Sequence, residues 1–448
     1  MESNYAGDLV ITQEFNDTME VAADNVLGFD PKTVKRLPVG ELLKKVGPGF
    51  ILAGIVLGPG SLTTSAMIGA QFGYRLLWIM IPVLFMGTTF MLTTYRLSML
   101  TGMPSIHAIR HYYGKTAAGF VGIATFLACM FFTIGNISGI GAGMNLIFGI
   151  NWKLGAVIIM AAVIFCYFSK NVYNKIEKGI MVALCAMTIA FLVVLVMSGG
   201  PDTRETARGL IQWKFPAGSL PVIIGFIGSS ASLTTGIYGT YLGNEKKWKK
   251  QDLFNGVMMT DAAAHIFGVV VISIAIILVG AIVMNPTGAT INAPADLAAM
   301  LIPVLGNAAP FVMGIALLSA AFSAILGNTA RGVVLFSAGV NQPTALDGKN
   351  IKIGSMIVLA IGTAICFSYG KSPVQLIYLS NVATGVATPV AGLFITRMIW
   401  RKDINRGIKE PRALQICMTI SYIFYLFVTI YALAGAVPKF IHSMAALF

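Results

Sequence analysis

A proline between two glycines interrupts the first long apolar run of the chain. The run extends from about residue 46 to residue 67, and its middle reads Gly58-Pro59-Gly60-Ser61. Proline removes a backbone N–H donor and glycine weakens a helix, so this stretch predicts a helix split into two halves. Backbone groups freed inside a bilayer must be satisfied by protein or by a water-filled cavity. The break therefore indicates either a solute-binding site near the bilayer midplane or a simple proline kink.

Small and hydroxyl-bearing residues are also concentrated in the middle of the sixth apolar run. Gly228, Ser229, Ser232 and Thr234 lie there, in a segment with few strong helix formers. Two interrupted helices in corresponding positions indicate a secondary transporter that holds its solute between the breaks. Freed carbonyls, half-helix N-termini and hydroxyls can contact a polar solute at such a place. Ordinary hydrogen bonding between membrane helices would also account for these hydroxyls.

Neither break contains an acidic residue, a histidine, a cysteine or a methionine. A divalent cation that leaves water generally requires anionic oxygens or soft ligands, because neutral oxygens rarely compensate its desolvation. The N-termini of half-helices favour negative groups instead. The ligand chemistry therefore predicts a neutral, zwitterionic or anionic small solute, and no metal site.

Two pairs of residues could couple transport to an ion. Asp261 lies well inside the seventh apolar run and His265 follows one helical turn later. This pair could be a proton relay, or an ion pair in a cytoplasmic vestibule. Ser319 and Ser323 in the eighth run are also one turn apart and could bind sodium together with carbonyls of the first break, with ordinary helix packing as the alternative. Arg331, late in the eighth run, is expected to extend to the cytoplasmic surface.

The composition places these residues in a membrane protein. Of the 448 residues, 56% are hydrophobic and 11% are charged, which indicates many membrane spans. The five cysteines lack the paired spacing of a disulfide framework or a zinc site. Apolar runs long enough to cross a bilayer fall at eleven positions: 47–71, 76–100, 117–149, 153–168, 178–198, 218–242, 254–284, 307–338, 352–369, 373–399 and 413–436.

The basic residues predict how these spans are oriented. Most of the 31 lysines and arginines fall in the connections that are cytoplasmic if the N-terminus is inside. We therefore expect a multi-pass protein of the plasma (inner) membrane, with a cytoplasmic N-terminus and an external C-terminus. The net charge of +13 is explained by these loops and does not indicate a nucleic-acid partner.

Eleven spans fit two inverted five-helix repeats followed by one extra helix. Residues 1–43 would form a cytoplasmic tail, acidic and then basic, and residues 44–399 the transporter core, with repeats at about 44–199 and 217–399. Residues 400–448 would hold a cytoplasmic loop, the eleventh helix and a short C-terminus. The tetrapeptide Ser-Leu-Thr-Thr occurs in the first helix of each half, at 61–64 and 232–235.

The chain resembles the NRAMP (natural resistance-associated macrophage protein) family of proton-coupled divalent-metal transporters. The likeness rests on residues 47–50 (GPGF), on residues 69–78 after the first helix, on Gly102 and on residues 145–149 at the end of the third helix. It extends over roughly residues 44–436. The resemblance implies an all-α integral membrane protein with the inverted repeat of the leucine-transporter type, found in the amino acid–polyamine–cation superfamily, and with the first and sixth helices broken.

The metal-site residues of that family are replaced in this chain. The family's Asp-Pro-Gly-Asn motif is GPGS at 58–61, and its Met-Pro-His motif aligns with SLT at 232–234. The acids of the family's proton route fall at Thr133 and Asn136, and a glutamine of the tenth helix falls at Asn381. The resemblance therefore implies the fold of the family, but it does not imply that this chain has the family's substrate.

The leading hypothesis is a secondary transporter that moves a small polar non-metal solute, such as an amino acid or an organic or inorganic anion, by alternating access. A first alternative is a proton-coupled or uncoupled transporter of manganese, iron or magnesium, and a second is a non-transporting sensor with the same fold. The coupling ion would be a proton or sodium. No enzyme activity or cofactor is expected, because no nucleophile–base pair, phosphate-binding loop or metal cluster is visible. The expected solute contacts are Gly58, Pro59, Gly60, Ser61, Gly228, Ser229, Ser232, Thr234, Asn136 and Asn381.

Overall fold

The computed structural model describes residues 29–45, 56–168, 188–242, 248–385, 387–405, 408 and 410–445, and these residues contain helices and connections but no strand. Predictions for residues 1–28, for the opening of the first helix at 46–55 and for the start of the fifth run at 178–187 lie outside the described residues. The described part of the chain is thus all-α, as predicted.

The structure describes the following helices. In chain order they are α1 Val39–Lys45, α2 Pro59–Phe72, α3 Met80–Thr101, α4 Ser105–Phe148, α5 Trp152–Phe168, α6 Thr203–Ile211, α7 Leu220–Ser230, α8 Leu233–Leu242, α9 Val257–Val279, α10 Pro294–Ala299, α11 Ala309–Gly339, α12 Lys349–Ser368, α13 Pro373–Thr384, α14 Ala387–Ile399 and α15 Arg412–Ala445. A 3-10 segment at Gly73–Ile79 joins α2 to α3, and a π-helical turn at Gly280–Met284 extends α9.

Eight helical stretches in the described residues are long and apolar enough to cross a membrane. Two of the expected runs are joined in the first of them, Pro59–Thr101, and shorter apolar helices at Trp152–Phe165 and Thr188–Met197 correspond to the fourth and fifth runs. The chain is therefore a multi-pass integral membrane protein.

Both predicted helix breaks are present. Gly58 has extended backbone (φ −88°, ψ −179°), and α2 begins at Pro59. Proline is well suited to a first helical position, where its missing N–H would have no partner in the helix. In the sixth span α7 ends at Ser230 and α8 begins at Leu233, with Ala231 outside helical geometry (φ −121°, ψ 39°).

In the tenth span, predicted at 373–399, the structure describes two helices on either side of residue 386. α13 ends at Thr384 and α14 begins at Ala387. A Cβ added to Gly228 of α7 would lie 3.1 Å from the backbone nitrogen of Gly385. The end of α13 therefore lies against the helix that leads into the sixth-span break, and a side chain at Gly228 would require a shift of a few tenths of an ångström between them.

Small residues bring α4 and α11 into close contact through the middle of the molecule. A Cβ on Gly122 would lie 2.7 Å from the Cα of Gly339, and one on Gly143 would lie 2.8 Å from the carbonyl oxygen of Gly314. Close backbone approach at small residues is a common way for membrane helices to pack. These two helices form a rigid support on one side of the broken helices.

Candidate functional site

Some backbone groups of the first break form hydrogen bonds within the break itself. The Ser61 hydroxyl lies 3.1 Å from the carbonyl oxygen of Val56 and 3.0 Å from that of Gly58, and it donates to this pair. The Gly58 N–H also donates to the Val56 carbonyl, at 2.8 Å. Because a hydroxyl has one proton, Ser61 can meet a ligand only as an acceptor while this arrangement holds.

Two asparagine side chains hold the first break from opposite directions. A Cβ added to Gly58 would lie 2.8 Å from Oδ1 of Asn136, which belongs to α4. A Cβ added to Gly60 would overlap the amide of Asn381, which belongs to α13. A side chain on either glycine that flanks Pro59 would fit only if the neighbouring amide group moved. We call these five residues the amide clamp.

The amides of the clamp are buried but incompletely hydrogen-bonded. Asn136 and Asn381 are each 1% exposed. Within the described residues, Nδ2 of Asn136 and both polar atoms of Asn381 have no hydrogen-bond partner, and the same is true of the buried hydroxyls of Thr63 and Ser230. Buried polar groups are normally paired. The clamp therefore offers polar atoms of both kinds, donors and acceptors, to a ligand.

The second break is lined by hydroxyl groups. The Oγ atom of Ser232 lies 2.6 Å from Oγ1 of Thr234, and the backbone N–H of Leu233 donates to Oγ1 of Thr388 in α14 at 3.4 Å. Ser232 is half-buried. The hydroxyl of Thr388 in α14 therefore caps part of the N-terminus of α8. Fewer unpaired N–H groups remain there for a solute than the sequence analysis predicts.

The helix that leads into the second break packs against the helix that follows the first break. A Cβ on Gly225 of α7 would be 3.4 Å from Cγ2 of Thr64 in α2 and 3.7 Å from the Cβ of Asn381. Gly228, as described above, packs on the tenth span, and the Ser229 hydroxyl donates to the carbonyl of Gly225 at 3.0 Å. The structure thus places Asn136 of the third span and Asn381 of the tenth span against Gly58 and Gly60 of the first span. In the sixth span, Gly228 and Ser229 are in packing positions.

Asp261 and His265 occupy a separate buried region. The hydroxyl of Tyr95 donates to Oδ2 of Asp261 at 3.1 Å, and the Tyr95 ring packs edge-on against Trp248 at 4.8 Å. Asp261 is 0% and His265 2% exposed. Full burial contradicts an open vestibule around Asp261. The proton-relay hypothesis stays a prediction.

The serine pair proposed for sodium lies in α11, the helix whose alanines contact the first break, and the sodium hypothesis stays a prediction. Ser319 and Ser323 are half-buried. The side chains of α11 that approach the break are alanines: the Cβ of Ala324 would be 3.2 Å from a Cβ on Gly58, and Ala321 packs near Gly139. The packing of α11 therefore supports the alternative that the serines serve helix contacts.

Arg331 does not reach the membrane surface, and that expectation is wrong. Its side chain is 5% exposed and donates to Oδ1 of Asn328 at 2.5 Å and to Oγ1 of Thr235 at 3.4 Å. The guanidinium also lies 6.0 Å from the centre of the Phe132 ring. Hydrogen bonds to neighbouring helices keep this cation inside the helix bundle.

The donor atoms around the breaks are neutral oxygens and nitrogens. No group of three or more histidine, cysteine, aspartate or glutamate side chains that could hold a metal occurs in the part of the chain that the structure describes. Backbone carbonyls, the hydroxyls of Ser61, Ser232 and Thr234, and the amides of the clamp are the available ligands. Such a set suits a hydrated ion or a polar organic solute.

A membrane-embedded bundle with two broken helices facing each other is the architecture of a secondary transporter. A family model described as natural resistance-associated macrophage protein-like matches residues 49–435. The chain therefore belongs to the Nramp family of membrane transporters. One relative, the divalent metal cation transporter MntH of Brucella suis biovar 1 (strain 1330), is 25% identical over 358 residues, which cover 77% of this chain and 78% of the relative.

Solved structures show the same fold. The crystal structure of the Eremococcus coleocola manganese transporter in complex with an aromatic bis-isothiourea substituted compound matches with a TM-score of 0.71, at 17% identity and 91% coverage of both chains. Mhp1, a nucleobase-cation-symport-1 family transporter, matches with a TM-score of 0.58, at 13% identity, covering 87% of this chain and 93% of the other. The prediction of a leucine-transporter type of fold is confirmed.

Proposed function

We propose that this protein transports a divalent metal cation and that the ion keeps part of its hydration shell in the site. The observation that carries the proposal is an all-neutral, oxygen-bearing site between the broken helices of an Nramp-family chain. The family relative that is named for divalent metal cations favours this alternative over the leading hypothesis from the sequence, a non-metal solute.

The neutral site favours hard ions that dehydrate reluctantly. Magnesium usually keeps several water molecules when it binds to protein, and its ligands are oxygens. Waters on the ion can donate to Oδ1 of Asn381, to the Ser61 and Ser232 oxygens and to freed carbonyls. Thioether, thiolate and imidazole ligands, which select softer ions, are absent from both breaks. We therefore expect magnesium or manganese to be preferred over softer divalent ions.

Each part of the site has a role in this proposal. The amide clamp fixes the backbone at Gly58 and Gly60, so that the carbonyls of the first break keep their directions. Ser232 and Thr234 complete the site from the sixth span, where the half-buried hydroxyl of Ser232 and the buried hydroxyl of Thr234 can reorient around a hydrated ion. Movement of the broken helices would open the site to one side and then the other. A proton on the Asp261–His265 pair is the proposed coupling route.

Flux into liposomes tests this function. The purified full-length protein would be reconstituted, and uptake of magnesium and of manganese would be followed with ion-sensitive dyes. We expect saturable uptake that falls at least about tenfold in Asn381→Ala, a loss typical when one polar contact of a buried site is removed. Gly268→Ala is the matched control, because a Cβ there meets no atom within 4 Å.

A second candidate cargo is an anionic or zwitterionic organic solute. The observation that favours it is the unpartnered Nδ2 donors of Asn136 and Asn381 in the clamp. Exchange of radiolabelled amino acids or organic acids in the same liposomes tests it. Exchange that is lost in Asn381→Ala, with no uptake of divalent ions by the wild-type protein, would replace our proposal with this one.

A further inference from the structure

Arg331 is a buried cation with neutral partners. The ion pairs Lys45–Asp252, Arg208–Glu205 and Arg401–Asp403 of the described residues do not include Arg331. A charge inside a membrane protein is expensive to bury, and where one is kept it commonly marks the transport pathway. The position of Arg331 relative to the breaks decides what it can do.

One aromatic ring separates Arg331 from the first break. The guanidinium lies 6.0 Å from the centre of the Phe132 ring, and Cζ of the same ring would be 3.4 Å from a Cβ on Gly58. Phe132 therefore contacts the break on one side and the cation on the other. A solute at Gly58 is next to the ring against which Arg331 packs.

Arg331 also joins α11 to the helix that leaves the second break. Nη1 lies 3.4 Å from Oγ1 of Thr235, which is three residues after Ser232 and is 2% exposed. The hydroxyl of Thr235 is thus located just beyond the site, on the route along α8. A distance of 3.4 Å between Nη1 and Oγ1 is typical of a weak hydrogen bond. Such a bond can break and re-form during transport.

The other end of this connection is held firmly. Nη2 of Arg331 donates to Oδ1 of Asn328 at 2.5 Å, and Nδ2 of Asn328 donates to the carbonyl of Cys129 at 2.6 Å and to Oγ1 of Thr133 at 2.9 Å. Asn328 is 0% exposed. The guanidinium is therefore fixed to α4 and α11 on one side and bonded weakly to α8 on the other.

We propose that Arg331 is the gate on the α8 side of the site: its hydrogen bond to Thr235 closes the route between α4, α8 and α11, and a solute leaves along α8 only after that bond opens. The strong bonds to Asn328 keep the guanidinium on the α11 side when α8 moves away. This inference rests on the proposed transport function but not on which cargo is carried.

Thiol labelling tests the gate without any cargo. The five native cysteines would be replaced by alanine, Ser232→Cys would supply one thiol in the second break, and a membrane-impermeant maleimide would be added to vesicles of either orientation. We expect slow labelling from the side that carries the connection between α8 and α9. Thr235→Val and Arg331→Gln should each raise this rate several-fold, and together no more than the larger single effect.

Two further variants make the result specific. Thr363→Val is the matched control, because the Thr363 hydroxyl donates only to the carbonyl of Leu359 in its own helix, at 2.7 Å; its labelling rate should equal that of the parent. Arg331→Lys keeps the charge but loses the fork that reaches two partners, so it should also label faster than the parent.

The labelling experiment tests the gate and the flux experiment tests the cargo, so either proposal can fail without the other. Unchanged labelling in Thr235→Val, in protein that elutes and melts like the parent, would overturn the gate even if metal uptake is confirmed. Faster labelling in Thr235→Val and Arg331→Gln would support the gate even if the liposomes take up no divalent ion, in which case only the proposed cargo falls.

Discussion

The two helix breaks of this protein are built in different ways. The first break is filled: amide groups from α4 and α13 occupy the space beside Gly58 and Gly60, and the Ser61 hydroxyl is bonded inside the break. The second break is looser, with Ser232 half-buried and bonded to Thr234. The first break therefore depends on steric fit, and the second depends on hydroxyl chemistry. A substitution that adds a side chain at Gly60 should therefore lower both stability and uptake, whereas loss of the Ser232 hydroxyl should lower uptake alone.

The largest effect is expected from Gly60→Ala in the amide clamp. The added methyl would overlap the Asn381 amide, and overpacking of this kind typically costs about 1–3 kcal/mol of stability. We expect a lower melting temperature and complete loss of uptake. Thermal unfolding in detergent would measure the melting temperature, and flux into liposomes would measure uptake.

A double variant separates fit from binding at this position. Asn381→Ala in the Gly60→Ala background should restore most of the melting temperature, because it removes the overlapping group, but it should not restore uptake. Gly268→Ala is the control and should melt at or slightly above the wild-type temperature. If Gly60→Ala has the same melting temperature as Gly268→Ala, the Asn381 amide does not exclude a side chain at position 60.

At the second break, Ser232→Ala should reduce uptake several-fold and leave folding nearly unchanged. The hydroxyl is half-buried and its partner is another hydroxyl, so its loss should change stability by less than about 0.5 kcal/mol. Kinetics of uptake and thermal unfolding on the same preparation test this. A drop in melting temperature as large as that of Gly60→Ala would remove the contrast between the two breaks.

Thr388→Val should cause a smaller change, in stability alone. Its hydroxyl accepts the N–H of Leu233 and caps α8 from another helix. Loss of a helix cap costs about 0.5–2 kcal/mol, and the 3.4 Å distance places this one at the low end of that range. Thermal unfolding measures it. An unchanged melting temperature would show that water serves α8 equally well.

The smallest effect is expected far from both breaks, at Asp403. Hydrogen bonds from Arg401 lower the pKa of Asp403 below its ordinary value. A lowered folded-state pKa adds stability above the unfolded-state value, and this stability is lost as the pH falls through the folded-state pKa. The melting temperature of Asp403→Asn should therefore lie slightly below that of the wild type at neutral pH. The difference should shrink below about pH 4; a gap that is constant with pH would contradict the assignment.

The breaks were predictable because proline and clustered glycines weaken a helix whatever surrounds them. The location of Asn136 and Asn381 at the first break followed from the resemblance to a family fold, which fixes which helices meet. The contact between Gly228 of the sixth span and Gly385 of the tenth was not predicted, because a single sequence does not show which helices pack together.

The burial of Arg331 was not predictable from its place in the sequence. A basic residue near the end of a span usually extends to the surface. Its actual orientation depends on Asn328, one turn earlier, and on Thr235, which belongs to another helix. The orientation of the Arg331 side chain is set by hydrogen-bond partners in the folded protein, and a single sequence does not show these partners.

The central claim is that neutral oxygens hold a partly hydrated divalent cation between the two breaks. X-ray absorption spectroscopy of manganese bound to the purified protein tests it most directly, with Asn381→Ala as the comparison. We predict a first shell of oxygen scatterers only, with proton couplings from bound water in electron–nuclear double resonance, and loss of the bound ion in the variant. A sulfur or imidazole ligand, or manganese that is retained equally by Asn381→Ala, would contradict the account.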